Sequence, residues 1–151
     1  MKSLRIYVAG KYTDDDKDVR DNNIAVARLH TAMLIKAGHY PFCPHTMTAH
    51  FDDDFPEIEY KHYMAMFCEW LRFCDAIYLL PNWQLSNGAG IEIELANELK
   101  LDVYYDLKQV PQVDGFPTMA EIATAHLTKE CHDMKRIVSH KNGFGDVVLY
   151  P

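Results

Sequence analysis

The stretch DAIYLLPNWQLSNGAGIEIELANELK, residues 75–100, carries a strand, a turn and a helix in succession. Its first part, DAIYLLP (75–81), is a short apolar run closed by a proline, which is typical of a buried strand. The Asn, Ser and Gly residues that follow indicate a turn, and the remainder predicts a helix to about Lys100. A buried strand followed by a helix of this length is half of a βαβ unit.

The same alternation occurs elsewhere in the first two thirds of the chain. Strands are predicted at 4–10, 40–43 and 102–106, helices at 21–38 and 57–74, and a loop at 44–56. This pattern predicts an α/β domain in which helices cover both faces of a parallel sheet of four or five strands. At 151 residues we expect a single domain, 1–151, with its core at about 4–106. In the C-terminal part (107–151) the pattern predicts a helix at 118–138 and a last strand or docked tail at 146–150.

Composition excludes several classes of partner. Acidic residues outnumber basic ones to give a formal net charge of −7, so binding to polymeric nucleic acid or to an anionic membrane is not expected. The N-terminus shows no signal peptide and no apolar run reaches the length of a membrane span, which predicts a cytoplasmic protein. The four cysteines form no CxxC pair and are interpreted as reduced thiols.

Ligands of open parallel sheets bind beyond the carboxyl ends of the strands. The segments at this edge are 10–13, 45–50 and 82–87, together with Asp106. Two familiar phosphate-binding motifs fail here. Gly88-Ala89-Gly90 lacks the third small residue of a dinucleotide fingerprint, because Ile93 stands there, and Gly10-Lys11 lacks the flanking residues of a P-loop.

Glu92 is the candidate catalytic residue. A helix that begins near Gly88 presents free N–H groups and a partial positive charge, which would lower the pKa of a carboxylate about one turn in and keep it ionised. Gly88 and Gly90 would let a flat ligand approach the backbone beside it. The alternative is that Glu92 only interacts with the helix dipole and Gly88 only makes a tight turn.

Three stretches together resemble the nucleoside 2-deoxyribosyltransferase superfamily, including nucleoside-monophosphate N-glycosidases: IYVAGKYT (6–13), CDAIYLLPNW (74–83) and SNGAGIEIELANEL (86–99). The resemblance implies a flavodoxin-like three-layer fold in which Glu92 attacks the anomeric carbon of a nucleoside. It also implies that Tyr7, Gly10 and Tyr12 help to form the sugar and base pocket. Homodimers or larger homo-oligomers, whose neighbouring chains complete each site, are expected as well.

The sequence departs from the nucleoside transferases at Ser86, where they carry an aspartate, and at Phe67, where a second aspartate is expected. The N-glycosidases have a serine at the position of Ser86, which binds a 5′-phosphate. Ser86 could therefore cap the helix, or could bind phosphate together with the N–H groups of Asn87 and Gly88. Trp83 could stack on a base or pack in the fold.

The expected function is cleavage of the N-glycosidic bond of a nucleoside or nucleotide through a covalent glycosyl-enzyme on Glu92, with transfer of deoxyribose between bases. The alternatives are a nucleoside 5′-monophosphate N-glycoside hydrolase and a non-catalytic nucleotide-binding module. No cofactor is expected. The histidines and aspartates at 45–54 lack metal-ligand spacing, so no metal is expected either.

Overall fold

The computed structural model describes residues 2–115 and 117–124. Residues up to Gly115 form one compact unit, and the described residues 117–124 belong to a second. Residues 119–124 are helical, within the helix predicted at 118–138. The rest of that helix, and the predicted strand or tail at 146–150, lie outside the described residues.

The first unit alternates strands and helices in chain order. Its elements are β1 (Arg5–Ala9), α1 (Lys17–Lys36), β2 (Tyr40–Phe42), α2 (Pro44–Met47), α3 (Phe51–Asp54), α4 (Tyr60–Leu71), β3 (Ala76–Leu79), α5 (Asn87–Glu98) and β4 (Asp102–Tyr104). Short 3₁₀ turns lie at Trp83–Leu85 and Leu107–Gln109. Within the described residues, no helix combines the length and apolarity needed to cross a bilayer.

The sheet has the strand order β2-β1-β3-β4, and all its pairings are parallel. This confirms the predicted α/β class and is consistent with a flavodoxin-like fold. From β1 the chain passes to β2, which lies on one side of β1. It then returns to form β3 and β4 on the other side of β1. The order therefore reverses between β1 and β3, which is where open α/β sheets bind ligands.

Alternation along the strands separates two cores. Ile6 and Val8 of β1 pack with Ala27 and Leu34 of α1 on one face of the sheet. Tyr7 of β1 faces the other way, into the core that holds residues of α4 and α5. Because successive side chains of a strand point to opposite faces, this register places Tyr7 beneath α5.

Helix α4 is three residues shorter at each end than the predicted 57–74, β4 ends at Tyr104 rather than at residue 106, and two larger differences concern α1 and the segment 44–56. Helix α1 begins at Lys17 rather than at residue 21, because Asp16 caps it by accepting a hydrogen bond from Asp18 N. The predicted loop at 44–56 contains α2 and α3. Each is a single turn of four residues, too short to show helical periodicity, and α2 has proline at its first turn.

Candidate active site

Glu92 is buried at the centre of the candidate site. Its side chain is on α5, and only 6% of the residue is exposed. The hydroxyl of Tyr7, from the strand beneath, donates a hydrogen bond of 2.5 Å to Glu92 Oε1. Because Tyr7 is itself fully buried in the core, it fixes the position of the carboxyl group.

The pKa of Glu92 moves opposite to the sequence-based expectation. Burial raises it from 4.5 to about 7, and the hydrogen bond from Tyr7 only partly opposes this rise. Helix α5 begins at Asn87, so Glu92 is beyond its first turn, where the dipole effect has largely faded. Desolvation therefore dominates. Burial and the neighbouring Glu92 raise the pKa of Tyr7 well above 10, so Tyr7 stays a neutral donor.

A pocket of about 230 Å³ lies next to Glu92, beyond the carboxyl end of β1. Residues of β1 and its following loop, the segment 44–58, α4 and the start of α5 form its walls. The lining residues are Val8, Gly10, Tyr12, Thr13, Pro44, His45, Thr48, Asp52, Ile58, Tyr60, Tyr63, Met64, Phe67, Ser86, Gly88, Ala89 and Glu92. The pocket therefore lies where the strand order reverses.

The structure brings together most of the residues singled out in the sequence. Gly10, Tyr12, Ser86 and Gly88 line the same pocket as Glu92, and Tyr7 lies directly behind it. Trp83, Asn87 and Gly90 are not among the lining residues. Trp83 packs against Tyr105, with their ring centroids 6.2 Å apart, and Asn87 is exposed.

The two glycines before Glu92 have different surroundings. A Cβ atom at Gly88 would lie 2.7 Å from the Tyr60 hydroxyl and 3.3 Å from Met64 Sδ, so a side chain of the protein already occupies the space beside it. A Cβ at Gly90 would meet no atom within 4 Å. The absence of a side chain at Gly88 thus accommodates Tyr60, which differs from the expectation that it lets a ligand reach the backbone.

Ser86 caps α5. Its hydroxyl oxygen accepts a hydrogen bond of 3.1 Å from Ala89 N, the bond of an ordinary N-cap serine. The N–H groups of Asn87 and Gly88 have no hydrogen-bond partner among the described residues. Of the two roles open for Ser86, the capping role is present in the structure.

A hydrogen-bonded network around Tyr12 and Asp52 forms another part of the pocket wall. The Tyr12 hydroxyl donates to Asp52 Oδ1 (2.8 Å) and accepts from His50 N (2.9 Å). Buried Arg20 donates to Asp52 Oδ2 (2.8 Å) and also pairs with Asp53. The β1–α1 loop and α3 are therefore tied together next to the pocket.

Two carboxyl groups, one of them paired with Arg20, determine the charge of the pocket. Asp52 and Glu92 are its acidic lining residues, and no Lys or Arg is among the lining residues described. Of the nearby cations, Lys11 is paired with Asp14, whereas Arg20 is paired with the lining residue Asp52 and with Asp53, so the charge of Asp52 is compensated. His45 is buried, its pKa is lowered by burial, and its Nε2–H donates to Lys11 O, so it is neutral.

His45 and His50 do not form a shared metal site. The His50 ring lies 3.7 Å from Asp21, away from the Lys11 carbonyl that His45 contacts. Among the described residues, no group of three His, Cys, Asp or Glu side chains is arranged to hold a metal ion.

Sequence reasoning missed the wall formed by α4. Tyr60, Tyr63, Met64 and Phe67 line the pocket, although their sequence pattern is equally that of a core-facing helix. Their spacing of three and four residues places them on one helix face, which is the signal that could have found them. The strand pattern alone does not reveal which helix face borders a pocket.

Comparison with known protein families matches residues 4–105 to the family described as "Domain of unknown function (DUF4406)". The chain belongs to this family. The matched region covers the whole sheet, Tyr7 and Glu92. No curated protein matches the chain.

Proposed function

We propose that the protein cleaves the N-glycosidic bond of a (deoxy)nucleoside through a covalent glycosyl-enzyme on Glu92, and transfers the sugar between bases. The observation that carries this proposal is the Tyr7–Glu92 pair, a buried carboxyl group fixed by a buried phenol beside a pocket. The resemblance of residues 6–13, 74–83 and 86–99 to the nucleoside 2-deoxyribosyltransferase superfamily supports the same assignment.

The proposed reaction has two steps. Oε1 of Glu92 is held by Tyr7, which leaves Oε2 to bond to the anomeric carbon while the carbon–nitrogen bond breaks and its electron pair leaves with the base. The transition state resembles an oxocarbenium ion, which a nearby carboxylate stabilises. A nitrogen of a second base then attacks the same carbon and releases Glu92. The departing base takes up a proton from solvent, and the incoming base releases its N–H proton to solvent.

The features of the pocket favour nucleosides over nucleoside 5′-monophosphates. A 5′-phosphate needs donors or cations, but no Lys or Arg is among the lining residues described, and nearby Arg20 is already paired with Asp52 and Asp53. The hydroxyl oxygen of Ser86, the phosphate-binding candidate, accepts the capping bond from Ala89 N. The monophosphate hydrolase and the non-catalytic module are therefore outcomes that the following experiment separates.

The test is incubation of the protein with 2′-deoxyinosine and free adenine and, separately, with deoxynucleoside 5′-monophosphates, followed by chromatography of the bases and nucleosides. We expect 2′-deoxyadenosine and hypoxanthine to form together. Glu92→Gln should lower the rate at least about 10³-fold, because removal of a covalent nucleophile costs orders of magnitude. Glu94→Gln, an exposed carboxyl group on the same helix, is the matched control and should retain the wild-type rate.

Other outcomes have definite meanings. Release of hypoxanthine without exchange would identify a hydrolase. Reaction confined to a deoxynucleoside 5′-monophosphate would identify the nucleotide enzyme. No reaction with any substrate, or a Glu92→Gln variant with more than a few per cent of the wild-type rate, would overturn the proposed function.

A further inference from the structure

Tyr60 lies beside the N-terminal end of α5, where it lines the pocket. The N-terminus of α5 carries the unpartnered N–H groups of Asn87 and Gly88, and helix N-termini of this kind bind anions. Within 4 Å of the position of a Cβ at Gly88 lie the Tyr60 hydroxyl (2.7 Å), Met64 Sδ (3.3 Å) and Ser86 Oγ (3.7 Å). The space beside this helix end is therefore filled from α4.

Tyr60 is not held in this position by being buried in the core. The residue is the first of α4, and 56% of it is exposed, yet its hydroxyl end lies against Gly88 and it lines the pocket. Its pKa is raised by burial of the hydroxyl and by the nearby charge of Glu92, so the phenol is neutral. A neutral group thus fills the space beside the helix end.

We infer that Tyr60 is a specificity-determining residue that restricts the pocket to neutral substrates, nucleosides with a free 5′-hydroxyl, by closing the N-terminus of α5 to phosphate. This inference rests on the proposed function for the identity of the substrate. It adds a residue that excludes the nucleotide, whereas the absence of Lys and Arg from the lining residues described only disfavours it. Gly88 is required because any side chain there would displace the Tyr60 hydroxyl.

The experiment measures binding, so that its result does not depend on turnover. Calorimetric Kd values for 2′-deoxyadenosine and 2′-deoxyadenosine 5′-monophosphate are compared in a Glu92→Gln background, with and without Tyr60→Ala. We expect the nucleoside to bind at least about tenfold more tightly when Tyr60 is present, a ratio that represents 1.4 kcal/mol, since the phosphate then loses water without gaining a cation or a free helix N–H group. Tyr60→Ala should reduce this ratio at least about fivefold by strengthening nucleotide binding, because the freed N–H groups can then hold the phosphate.

Two further variants complete the test. Leu29→Ala removes a comparably exposed apolar side chain on α1, at the other sheet face, and should leave the ratio unchanged. Tyr60→Phe keeps the ring and removes the hydroxyl that lies against Gly88, so it should change the ratio less than Tyr60→Ala. Thermal unfolding of every variant checks that the fold is retained.

Three results would overturn the inference. The first is a Tyr60→Ala variant that leaves the ratio unchanged. The second is a Tyr60→Ala variant that binds the nucleotide more weakly relative to the nucleoside, which would make Tyr60 a phosphate ligand. The third is a protein that binds neither compound. If the ratio behaves as expected but the wild-type protein cleaves no nucleoside, the proposed function fails while the role of Tyr60 stands.

Discussion

Glu92 is subject to two opposing effects, and their balance predicts the pH dependence of catalysis. Burial raises its pKa to about 7 and the hydrogen bond from Tyr7 lowers it. Because the nucleophile must be deprotonated, kcat/KM should rise with pH through an apparent pKa near that value. Tyr7→Phe removes the lowering contact, so this ascending limb should move to higher pH, in addition to a fall in rate.

Tyr78→Phe is the control for this prediction. Tyr78 is also a buried strand tyrosine, but it faces the opposite core and its hydroxyl lies 2.7 Å from His30 Nδ1. The pH profile of kcat/KM for Tyr78→Phe should follow that of the wild type. A Tyr7→Phe profile with an unmoved or lower apparent pKa would show that Tyr7 does not stabilise the ionised form of Glu92.

The same carboxyl group should lower the stability of the protein at neutral and alkaline pH. Its pKa is about 7 in the folded state against 4.5 as the reference, so the folded state binds the proton more tightly. The stabilisation that comes from this tighter proton binding is fully present below the reference pKa. As pH rises through the folded pKa it is lost, and the free energy of unfolding falls by on the order of 3 kcal/mol. Glu92→Gln carries no such group, so its free energy of unfolding relative to wild type should increase by this order between about pH 4 and pH 8.

Denaturant unfolding of wild type, Glu92→Gln and Glu94→Gln at several pH values measures the effect. Comparison with the wild type removes the contributions of the other titrating groups. The Glu94→Gln difference should stay flat, because that side chain is exposed. A Glu92→Gln difference that also stays flat would mean that the carboxyl group is not desolvated in solution.

At the scale of a single element, α5 contains a matched pair of glycines. Gly90 lies inside the helix with no atom within 4 Å of an added Cβ, so Gly90→Ala should raise the free energy of unfolding by about 0.5–1 kcal/mol. Gly88→Ala would place its Cβ 2.7 Å from the Tyr60 hydroxyl, so Tyr60 must move and this gain should be absent. Denaturant unfolding of both variants gives the comparison, and equal effects would contradict the close packing of Tyr60 on Gly88.

The elements show what sequence patterns can and cannot predict. All four strands were predicted: the central strands β1 and β3 are short apolar runs that are almost entirely buried, whereas the edge strands β2 and β4 are only partly buried and were predicted from their aromatic and β-branched residues. Glu92 and Ser86 were found because a strand, a turn and a helix place them at the ligand-binding edge. The raised pKa of Glu92 was not predicted, since it depends on burial by residues distant in sequence. The wall formed by α4 was missed for the same reason, because Tyr60 reaches Gly88 only through tertiary packing.

At the scale of the whole molecule, the parallel register links the fold to the candidate chemistry. Tyr7 pairs with Ile77 across β1 and β3, and both side chains belong to the core beneath α4 and α5. Moving β1 by one residue would turn Tyr7 to the face of α1 and separate it from Glu92. The position of the Tyr7–Glu92 pair is therefore a consequence of sheet register, and substitutions that disturb that register should affect stability and activity together.

The exposed apolar residues on the side of α4 and α5 predict self-association. Phe73 is 63% exposed and Leu85 is 73% exposed, and Tyr60, Trp70 and Ile91 are about half exposed. Burial of such side chains between two copies is favourable, and closed homo-oligomers are the common result. We expect light scattering at micromolar concentration to give at least twice the chain mass of 17.4 kDa.

Phe73→Asp combined with Leu85→Asp should shift the protein toward the monomer, whereas Leu29→Asp, an exposed apolar position on α1 at the other sheet face, should not. If a second copy completes the pocket, the monomeric variant should also lose activity while its thermal unfolding remains cooperative. A wild-type protein that is a 17.4 kDa monomer under these conditions would contradict the prediction, and a shift caused equally by Leu29→Asp would place the interface elsewhere.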